Sequence, residues 1–298
     1  MADANDLLFL RVVEAGSLKA AAEQIGADPS AVSRRIAALE ERLGVRLLQR
    51  STKRSTPTDA GQRYYEGMRR LSDAQSALEA EVAGLTDKPA GRLRVAAPVD
   101  FGARFVAPVL AELQDDAPDL AVDLLLGSGF ADLIEEGIDV AVRIGRLPDS
   151  RLIAKRVGEV PRVIVAARRF VEAHGEPAAI EDLRRFPFIF YGSGQRELSI
   201  EIGRNGESQT ATVRGSFTAN SVTAIRALVD MGRGLHLGPV WAFEDGLADG
   251  SLVRVLPDCP LRSFPLHALY APSPYMPAKS RVFIDRFAAA IAGEPSLR

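Results

Sequence analysis

The chain of 298 residues is poor in cysteine and histidine, two residue types on which many catalytic and metal centres depend. Its one cysteine, Cys259, allows no disulfide within the chain, and the simplest interpretation is a reducing compartment, the cytoplasm. The three histidines, His174, His236 and His267, fall in no HExxH or other metal-ligand spacing. There is no GxSxG motif and no evident acid/base pair. We therefore expect no enzymatic activity, no metal and no cofactor.

Aromatic residues make up only 6% of the chain, and no apolar run approaches the ~20 residues that a membrane span needs. The first residues, MADAND, are acidic and lack the basic and apolar regions of a secretory signal. We therefore expect no membrane partner. The formal net charge of −2 argues against a broad coat for nucleic acid. The length exceeds one typical core, so two or three domains are expected.

Positive charge is concentrated in one short stretch near the N-terminus. From residue 42 to residue 54 there are five basic side chains and no acidic one: Arg42, Arg46, Arg50, Lys53 and Arg54. A run of this kind usually forms a solvated face. Whether this basic stretch is functional therefore depends on the structure that the residues around it predict.

The residues before this stretch predict three short helices. Leucines and valines between residues 6 and 15 follow a helical spacing, and Gly16 ends that helix. Ser17 is suited to cap an alanine-rich helix over 18–25, and Gly26 allows a tight turn. Asp28 and Pro29 then open a third helix that ends at Gly44.

The third helix has an apolar stripe and a polar outer face. The stripe consists of Val32, Ile36, Leu39 and Leu43. Ser30, Ser33 and Arg34 fall away from it, with Arg35 beside them, and such groups meet base edges and phosphates in a recognition helix. A plain helical hairpin could imitate the pattern. The following VRLLQRSTKRSTPT suits a two-stranded wing with phosphate contacts, so the basic stretch favours a winged helix-turn-helix.

From Leu7 to Gly61 the chain resembles the winged helix-turn-helix of the LysR-type transcriptional regulators. The matching pieces are Gly16-Ser17, Ala20-Ala21-Ala22, Ala31-Val32-Ser33-Arg34, Leu39-Glu40, Leu43-Gly44 and Thr58-x-Ala60-Gly61. Pro29 stands where many members have glutamine. The resemblance implies binding to double-stranded DNA, a dimer or dimer of dimers, and RNA polymerase as a candidate partner. The candidate DNA-binding residues are Ser17, Pro29, Ser30, Ser33, Arg34, Arg35, Arg50, Lys53 and Arg54.

The residues after Thr58 predict one long helix that reaches to about Leu85. Its heptad seam has one polar member: Tyr64, Met68, Leu71, Gln75, Leu78, Val82 and Leu85. Packing on its own chain and a coiled coil between two copies are both compatible with this seam. We favour the coiled coil, because Arg69-Arg70 and Glu79 with Glu81 predict faces too charged to be buried. Pro89, within residues 86–91, predicts a hinge.

From Arg92 onward strands alternate with helices, which predicts an α/β fold with parallel sheets and crossover helices. The first set comprises strand 93–97, helix 103–114, strand 121–126, helix 130–136 and strand 139–143. The second comprises strands 163–166, 188–191 and 213–217, helix 221–231 and strand 235–237. Strand 266–270 and helix 278–292 follow. The expected domains are a DNA-binding domain (1–60), a linker helix and hinge (61–90), and an effector-binding domain (91–298). Its lobe I spans about 91–162 and 267–298, and its lobe II about 163–266.

In open α/β sheets, ligands bind beyond the carboxyl ends of the strands. The candidate effector-binding residues there are Val99, Asp100, Phe101, Ser128, Gly129, Arg143, Ile144, Asn220 and Ser221. Each alone could be a turn or a cap. Arg143 could pair with an anionic ligand, or instead with Asp139 or a neighbouring acid.

The resemblance to LysR-type regulators extends over this region through Gly91-x-Leu93-Arg94-Val95 and Asp139-Val140-Ala141-Val142-Arg143-Ile144-Gly145. It implies a two-lobed effector domain of the periplasmic-binding-protein type. Members often present serine or threonine where Val99-Asp100 stands. A carboxylate there argues against a plain carboxylic acid and leaves room for an amine-bearing or zwitterionic effector.

The sequence therefore predicts a transcriptional regulator controlled by a small molecule bound between two lobes. Two alternatives belong to other classes: a hydrolase or transferase with an appended DNA-binding module, and an architectural DNA-binding protein without a ligand. The first lacks its motifs, since Gly127-Ser128-Gly129 and Gly232-Arg233-Gly234 match a dinucleotide fingerprint only weakly. The second does not account for a two-lobed domain, because an architectural DNA-binding protein needs no ligand-binding cleft.

Overall fold

The three N-terminal helices lie where the sequence predicts them. The computed structural model describes residues 4–50, 55–82, 89–127, 136–192, 194, 196–204, 207–273 and 276–297. Helix α1 spans Ala4–Ala15, α2 spans Leu18–Gln24 and α3 spans Pro29–Leu43. The Ser17 hydroxyl accepts from the Ala20 amide at 3.1 Å, and the Asp28 carboxylate accepts from the Ser30 amide at 2.7 Å. Both caps satisfy amides that the first turn of a helix leaves unpaired.

The wing is a short antiparallel pair that runs directly into the linker helix. Strand β1 (Leu48–Arg50) pairs with β2 (Ser55–Pro57). The linker helix α4 then spans Asp59–Val82, and the Thr58 hydroxyl accepts from the Gly61 amide at 3.0 Å. A Cβ on Gly61 would lie 1.9 Å from the carbonyl oxygen of Leu47. Only glycine therefore permits the residue before β1 to lie this close to α4.

The predicted heptad seam of α4 is divided between two environments. Met68 is buried in the core of the N-terminal domain, and Tyr64 packs against the same core. Leu71 and Leu78 are instead 62% and 40% exposed. Its first two positions therefore pack on their own chain, whereas the next two leucines face outward. The side chain of Val82 and all of Leu85 lie outside the described residues.

Lobe I contains a five-stranded mixed sheet in the order β4-β3-β5-β13-β6. Its strands are β3 (Gly91–Ala97), β4 (Leu120–Leu126), β5 (Val140–Ile144), β6 (Ile153–Val160) and β13 (Phe264–Tyr270). Strand β3 is parallel to β4 and β5, but β13 is antiparallel to β5 and β6. The predicted parallel arrangement is therefore found for β3, β4 and β5, whereas β13, with which the chain returns from lobe II, is antiparallel to its neighbours.

Helices cover the lobe I sheet. A short α5 (Val99–Phe101) passes through a π-helical turn into α6 (Ala107–Asp116), and α10 (Ala278–Gly293) comes near the end of the chain. The predicted helix over 130–136 lies outside the described residues except for Glu136. Phe101, Phe105, Phe283 and Phe287 contribute aromatic rings to the core beneath these helices.

Lobe II is built from two three-stranded sheets. In the first, β7 (Arg162–Ala167) lies between antiparallel β11 (His236–Pro239) and β12 (Leu252–Arg254). In the second, the long β10 (Glu207–Ala219) is parallel to β8 (Pro187–Tyr191) and antiparallel to β9 (Glu197–Arg204). Its helices are α7 (Arg168–His174), α8 (Val222–Asp230) and α9 (Glu244–Asp249). Most strand pairs here are antiparallel, against the prediction.

Four apolar cores are found among the described residues: one in the N-terminal domain, a large and a small one in lobe I, and one in lobe II. The chain passes between the lobes at Pro161, where β6 ends and β7 begins, and returns between β12 and β13. Among the described residues, no helix is both long and apolar enough to cross a membrane.

Candidate DNA interface and inter-lobe cleft

The polar face of α3 is exposed at its N-terminal end. Pro29, Ser30 and Arg34 are exposed, while Val32 and Ile36 on the opposite face are almost completely buried. Ser33 is half-buried between the two faces. Hydrogen bonds from the Ser30 side chain and amide hold the pKa of Asp28 below its ordinary value. The first two turns therefore present a hydroxyl and a guanidinium beside a carboxylate that is already hydrogen-bonded.

Two of the candidate DNA-binding residues have structural partners within the domain. Arg35 donates from Nε to the Asn5 side-chain oxygen and from Nη2 to the Ala4 carbonyl, each at 2.8 Å. It thereby fastens the start of α1 to α3. Ser17 holds the N-terminus of α2 through its cap. Ser17 therefore fixes the start of α2, and Arg35 fixes α3 against α1.

The basic stretch does not act as one uniform patch. Arg42 pairs with the buried carboxylate of Asp6, which also accepts a hydrogen bond from the Tyr64 hydroxyl at 2.8 Å. Arg42 therefore joins α3 to α1 and α4, while Arg46 is exposed. The wing lies beside the turn between α1 and α2, because the Ser55 amide donates to the Gly16 carbonyl at 3.1 Å. Only the backbone of Arg50 is described, and Lys53 and Arg54 lie outside the described residues.

In the cleft, the carboxylate of Asp100 reaches from lobe I to the N-terminus of α8 in lobe II. It accepts from the Val222 amide at 2.6 Å, the Thr223 amide at 3.1 Å, the Thr223 hydroxyl at 2.6 Å and the Ser221 hydroxyl at 3.2 Å. Burial acts to raise the pKa of Asp100, but these hydrogen bonds outweigh burial and lower it. The carboxylate is therefore a charged cap that joins the two lobes.

Two further ionisable groups lie at strand ends, and one of them, Tyr191, interacts electrostatically with this carboxylate. Arg143, at the end of β5, is buried, and burial lowers the pKa of its guanidinium against the opposing effects of Glu136 and Tyr191. Burial raises the pKa of Tyr191, at the end of β8; the charge of Asp100 adds to this rise and Arg143 opposes it. The strand-end rule that gives the other candidates also points to Tyr191, since the sequence predicts strand 188–191, but Tyr191 is absent from the predicted site.

The remaining cleft candidates differ in what they can contact. Val99 and Asn220 are exposed next to Asp100 and Ser221, and Ile144 is half-buried. Phe101 is only 1% exposed, and its ring packs in the core against Phe105 and Trp241, so it presents almost no surface to a ligand. Ser128 and Gly129 lie outside the described residues.

The prediction that the Arg69 face of α4 is too charged to be buried is wrong. Arg69 is 6% exposed and donates to the carbonyls of Gly137 and Arg92, both at 2.9 Å, and to the Asp139 carboxylate at 3.1 Å. Lys279, 3% exposed, donates to the Arg92 carbonyl at 2.5 Å and lies 3.3 Å from the other carboxylate oxygen of Asp139. The basic partners of Asp139 are therefore Arg69 and Lys279, at the opposite end of β5 from Arg143. Such long-range partners leave no local signal in the sequence.

No cluster of histidine, cysteine and carboxylate side chains suited to a metal ion occurs within the part of the chain that the structure describes. Cys259 is a partly buried free thiol.

A winged helix-turn-helix joined by a long helix to a two-lobed α/β domain with a polar cleft defines a class: DNA-binding proteins with a separate ligand-binding domain. Residues 7–62 match the family model for the bacterial regulatory helix-turn-helix protein, lysR family, and residues 86–292 match that for the LysR substrate binding domain. The chain belongs to the LysR family of transcriptional regulators. It is a DNA-binding regulator with an effector-binding domain.

Relatives match over nearly the whole chain. The chain is 33% identical over 289 residues to the HTH-type transcriptional regulator PtxR of Pseudomonas aeruginosa, covering 96% of this chain and 92% of PtxR. It is 30% identical over 278 residues to the HTH-type transcriptional activator AaeR of Escherichia coli, covering 93% and 90%.

Solved full-length structures agree with this fold. The virulence activator AphB of Vibrio cholerae is similar with a TM-score of 0.59 at 30% identity, covering 97% of this chain and 99% of AphB. The LysR-type regulator CrgA of Neisseria meningitidis gives a TM-score of 0.59 at 27% identity, covering 97% and 98%.

Proposed function

We propose that this regulator reads its operator with the exposed first turns of α3 and responds to a small molecule held between its lobes. The observation that carries the first part is the position of Arg34 and Ser30, exposed on the side of α3 opposite its buried stripe. A recognition helix contacts base edges through its N-terminal residues.

The candidate DNA-binding residues divide by role. Arg34, Ser30 and Ser33 contact base edges or the adjacent phosphates, and Pro29 abuts the DNA without donating. The wing residues Arg50, Lys53 and Arg54 contact phosphates, which set the register of the protein on the duplex. Ser17 and Arg35 act by holding α2 and α3 in place.

Substitution of Arg34 tests this proposal. We expect Arg34→Ala to weaken operator binding by about 1–3 kcal/mol and to relax sequence preference, since a good bidentate contact to a base contributes that much. Arg54→Ala should weaken binding to all sequences similarly and lower the salt slope by about one. Mobility-shift titrations at several salt concentrations measure both.

Arg11→Ala is the matched control, because Arg11 is an exposed arginine on α1 in the same domain. Unchanged affinity in both the Arg34 and Arg54 variants would contradict the assignment of this face to DNA.

For the effector, we propose an amine-bearing or zwitterionic small molecule. Asp100 and Arg143 place a negative and a positive charge at neighbouring strand ends of lobe I, and Tyr191 of lobe II interacts with both charges. Three hydrogen bonds reach one carboxylate oxygen of Asp100, while the other receives one, from Val222, and retains capacity to accept from an ammonium group.

A thermal-shift series with amines, amino acids and plain carboxylates tests the effector class. We expect stabilisation by compounds that carry an ammonium group, and loss of that stabilisation in Asp100→Asn. Stabilisation by plain carboxylates alone would contradict it. An architectural protein without a ligand would respond to none of them.

The proposal also covers the oligomeric state, the cellular location and the protein partner of the regulator. Two copies associate through the outward leucines of α4, Leu71 and Leu78, which places two recognition helices on successive turns of DNA. The regulator acts in the cytoplasm, has no catalytic activity and needs no cofactor, and RNA polymerase is its candidate protein partner at the promoter.

A further inference from the structure

Helix α4 belongs to two structural units at once. Tyr65 and Met68 are buried in the core of the DNA-binding domain, and the Tyr65 hydroxyl donates to Glu14 of α1 at 3.1 Å. On another face of the same two turns, Glu66 and Arg69 are buried against lobe I. A rigid helix segment therefore contacts the recognition unit and the effector domain within a single stretch of residues.

The guanidinium of Arg69 holds the beginnings of two neighbouring strands. Nη2 donates to the carbonyl of Arg92, near the start of β3, and to the Asp139 carboxylate, immediately before β5. Nη1 donates to the carbonyl of Gly137. The planar fork of arginine makes these three bonds together, which the single ammonium group of lysine cannot reproduce.

Asp139 is the centre of this cluster. Its Oδ2 atom also accepts from the backbone amide of Arg94 in β3 at 2.7 Å, and Lys279 brings the first turn of α10 to its other oxygen. A buried carboxylate with this many partners is held in one position. The cluster of Arg69, Asp139 and Lys279 therefore joins α4, β3, β5 and α10.

The same two strands lead from this cluster to the cleft. Strand β3 is followed by Asp100, and β5 ends with Arg143 and Ile144. The strands are parallel neighbours, with Val95 opposite Val140 and Ala96 opposite Ala141, all of them buried. The five residues of β5 span roughly 17 Å. A closely packed interior has low compressibility and transmits strain, so a displacement at one end of these strands is passed toward the other end.

We propose that Arg69 is a positioning residue that couples the cleft to the DNA-binding domain through β3 and β5, an inference that rests on the proposed binding of a ligand between the lobes. A rearrangement at Asp100 or Arg143 shifts the strands, and the strands shift α4 through Arg69. The hinge that the sequence predicts over 86–91 is then not the sole connection between α4 and the effector domain. In the competing interpretation, Arg69 docks α4 locally and has no effect at the cleft.

Hydrogen exchange on the full-length protein, without any ligand, separates these interpretations. In Arg69→Met we expect amide exchange to rise at least fivefold at residues 142–145 and 99–102, the cleft ends of the strands. Arg63→Met is the matched control, since Arg63 is exposed on the same helix and its Nε donates to the Asp59 carbonyl within that helix. A rise confined to residues 92–94 and 137–140 would overturn the proposal.

The reciprocal perturbation starts from the cleft. We expect Asp100→Asn to raise exchange at least twofold in residues 66–72 of α4 when Arg69 is present, and to leave α4 unchanged in the Arg69→Met background. Equal effects in both backgrounds would overturn the proposal. If Arg69→Met does not fold, Arg69→Lys takes its place, because it keeps the charge beside Asp139 and loses the fork. Since neither measurement uses ligand or DNA, a failure here is distinct from a failure of the Arg34 or thermal-shift tests.

Discussion

Asp100 and Thr223 are joined twice across the cleft: one carboxylate oxygen of Asp100 accepts from the Thr223 hydroxyl at 2.6 Å and from its amide at 3.1 Å. With Asn in place of Asp100, the charge is lost and an amide nitrogen competes for the place of an acceptor. We expect Asp100→Asn to lower the free energy of unfolding by about 1.5–3 kcal/mol, the range for hydrogen bonds to a charged group. Urea unfolding at pH 7 measures this. Asp249→Asn is the control, because Asp249 is an exposed acid that accepts from Ser251, two residues later in the sequence.

The same bonds predict a pH dependence. Because the pKa of Asp100 is lowered in the folded protein, the folded state favours the ionised form. Its contribution is fully present above the unfolded pKa of about 3.9 and is lost as the pH falls below that value toward the folded pKa. The stability difference between wild type and Asp100→Asn should therefore be constant from pH 7 to about pH 5 and shrink below about pH 4. A difference that changes between pH 7 and pH 5 would contradict this assignment.

The burial of His236 predicts a second loss of stability with falling pH, which begins at a higher pH than the loss due to Asp100. His236 is buried, its Nδ1 atom lies 2.8 Å from the Ile189 carbonyl, and burial lowers its pKa from 6.5 to about 4. The unfolded chain binds the proton first, so stability falls as the pH drops from about 6.5 to about 4. The full loss is about 3 kcal/mol for a shift of this size. His236→Asn, which retains a donor for Ile189, should flatten the unfolding free energy in that window; an unchanged slope would show that His236 is not its source.

Two glycines on α4 give opposite expectations for alanine. In Gly61→Ala the new Cβ would meet the Leu47 carbonyl at 1.9 Å, so the wing must move, and we expect a loss of about 1–3 kcal/mol. At Gly67, on the same helix, a Cβ would meet no atom within 4 Å, so Gly67→Ala should gain about 0.5–1 kcal/mol through helix propensity. Thermal unfolding measures both. Equal effects of the two changes would contradict the close approach at Gly61.

Leu78 tests the assembly. We expect Leu78→Asp to dissociate the homo-oligomer, because carboxylates from two copies would face each other in an apolar seam. Analytical ultracentrifugation should show a lighter species, with loss of binding to an operator that has two half-sites. Met231→Asp, at an exposed apolar position in lobe II, is the control. An unchanged sedimentation coefficient in Leu78→Asp would mean that the outward leucines of α4 are not the interface.

Local patterns in the sequence are sufficient for the DNA-binding domain. Ser17, Asp28 and Gly44 act within one turn of their own position, so capping rules place the helix ends correctly. The prediction for the lobe I sheet is incomplete, because β13 is separated by more than a hundred residues from the strands beside it. No local rule specifies the direction of β13. The alternating apolar residues Leu198, Ile200 and Ile202 are typical of a strand, β9, which is absent from the predicted set.

The candidate site shows the same division. Strand-end reasoning finds Asp100 and Arg143, since the position of a strand end depends on local pattern. It cannot show that Asp100 caps α8, because the partners lie 121 to 123 residues away. Strand-end reasoning also places Phe101 in the cleft. In the structure Phe101 lies on the inner face of the short helix α5, and its ring packs in the core of lobe I.

The dual membership of α4 has a consequence for exchanging parts between members of this family. A chimera that takes the DNA-binding domain and α4 from this chain and the effector domain from a relative brings Arg69 to a new surface. That surface must supply a carboxylate at the position of Asp139 and an accessible backbone carbonyl at the position of Gly137. Without them, the guanidinium of Arg69 is buried without its counter-charge and its acceptor. Compatibility of transplanted modules is therefore set at residues 69, 137 and 139, and a fusion point chosen at residues 86–91 alone does not secure it.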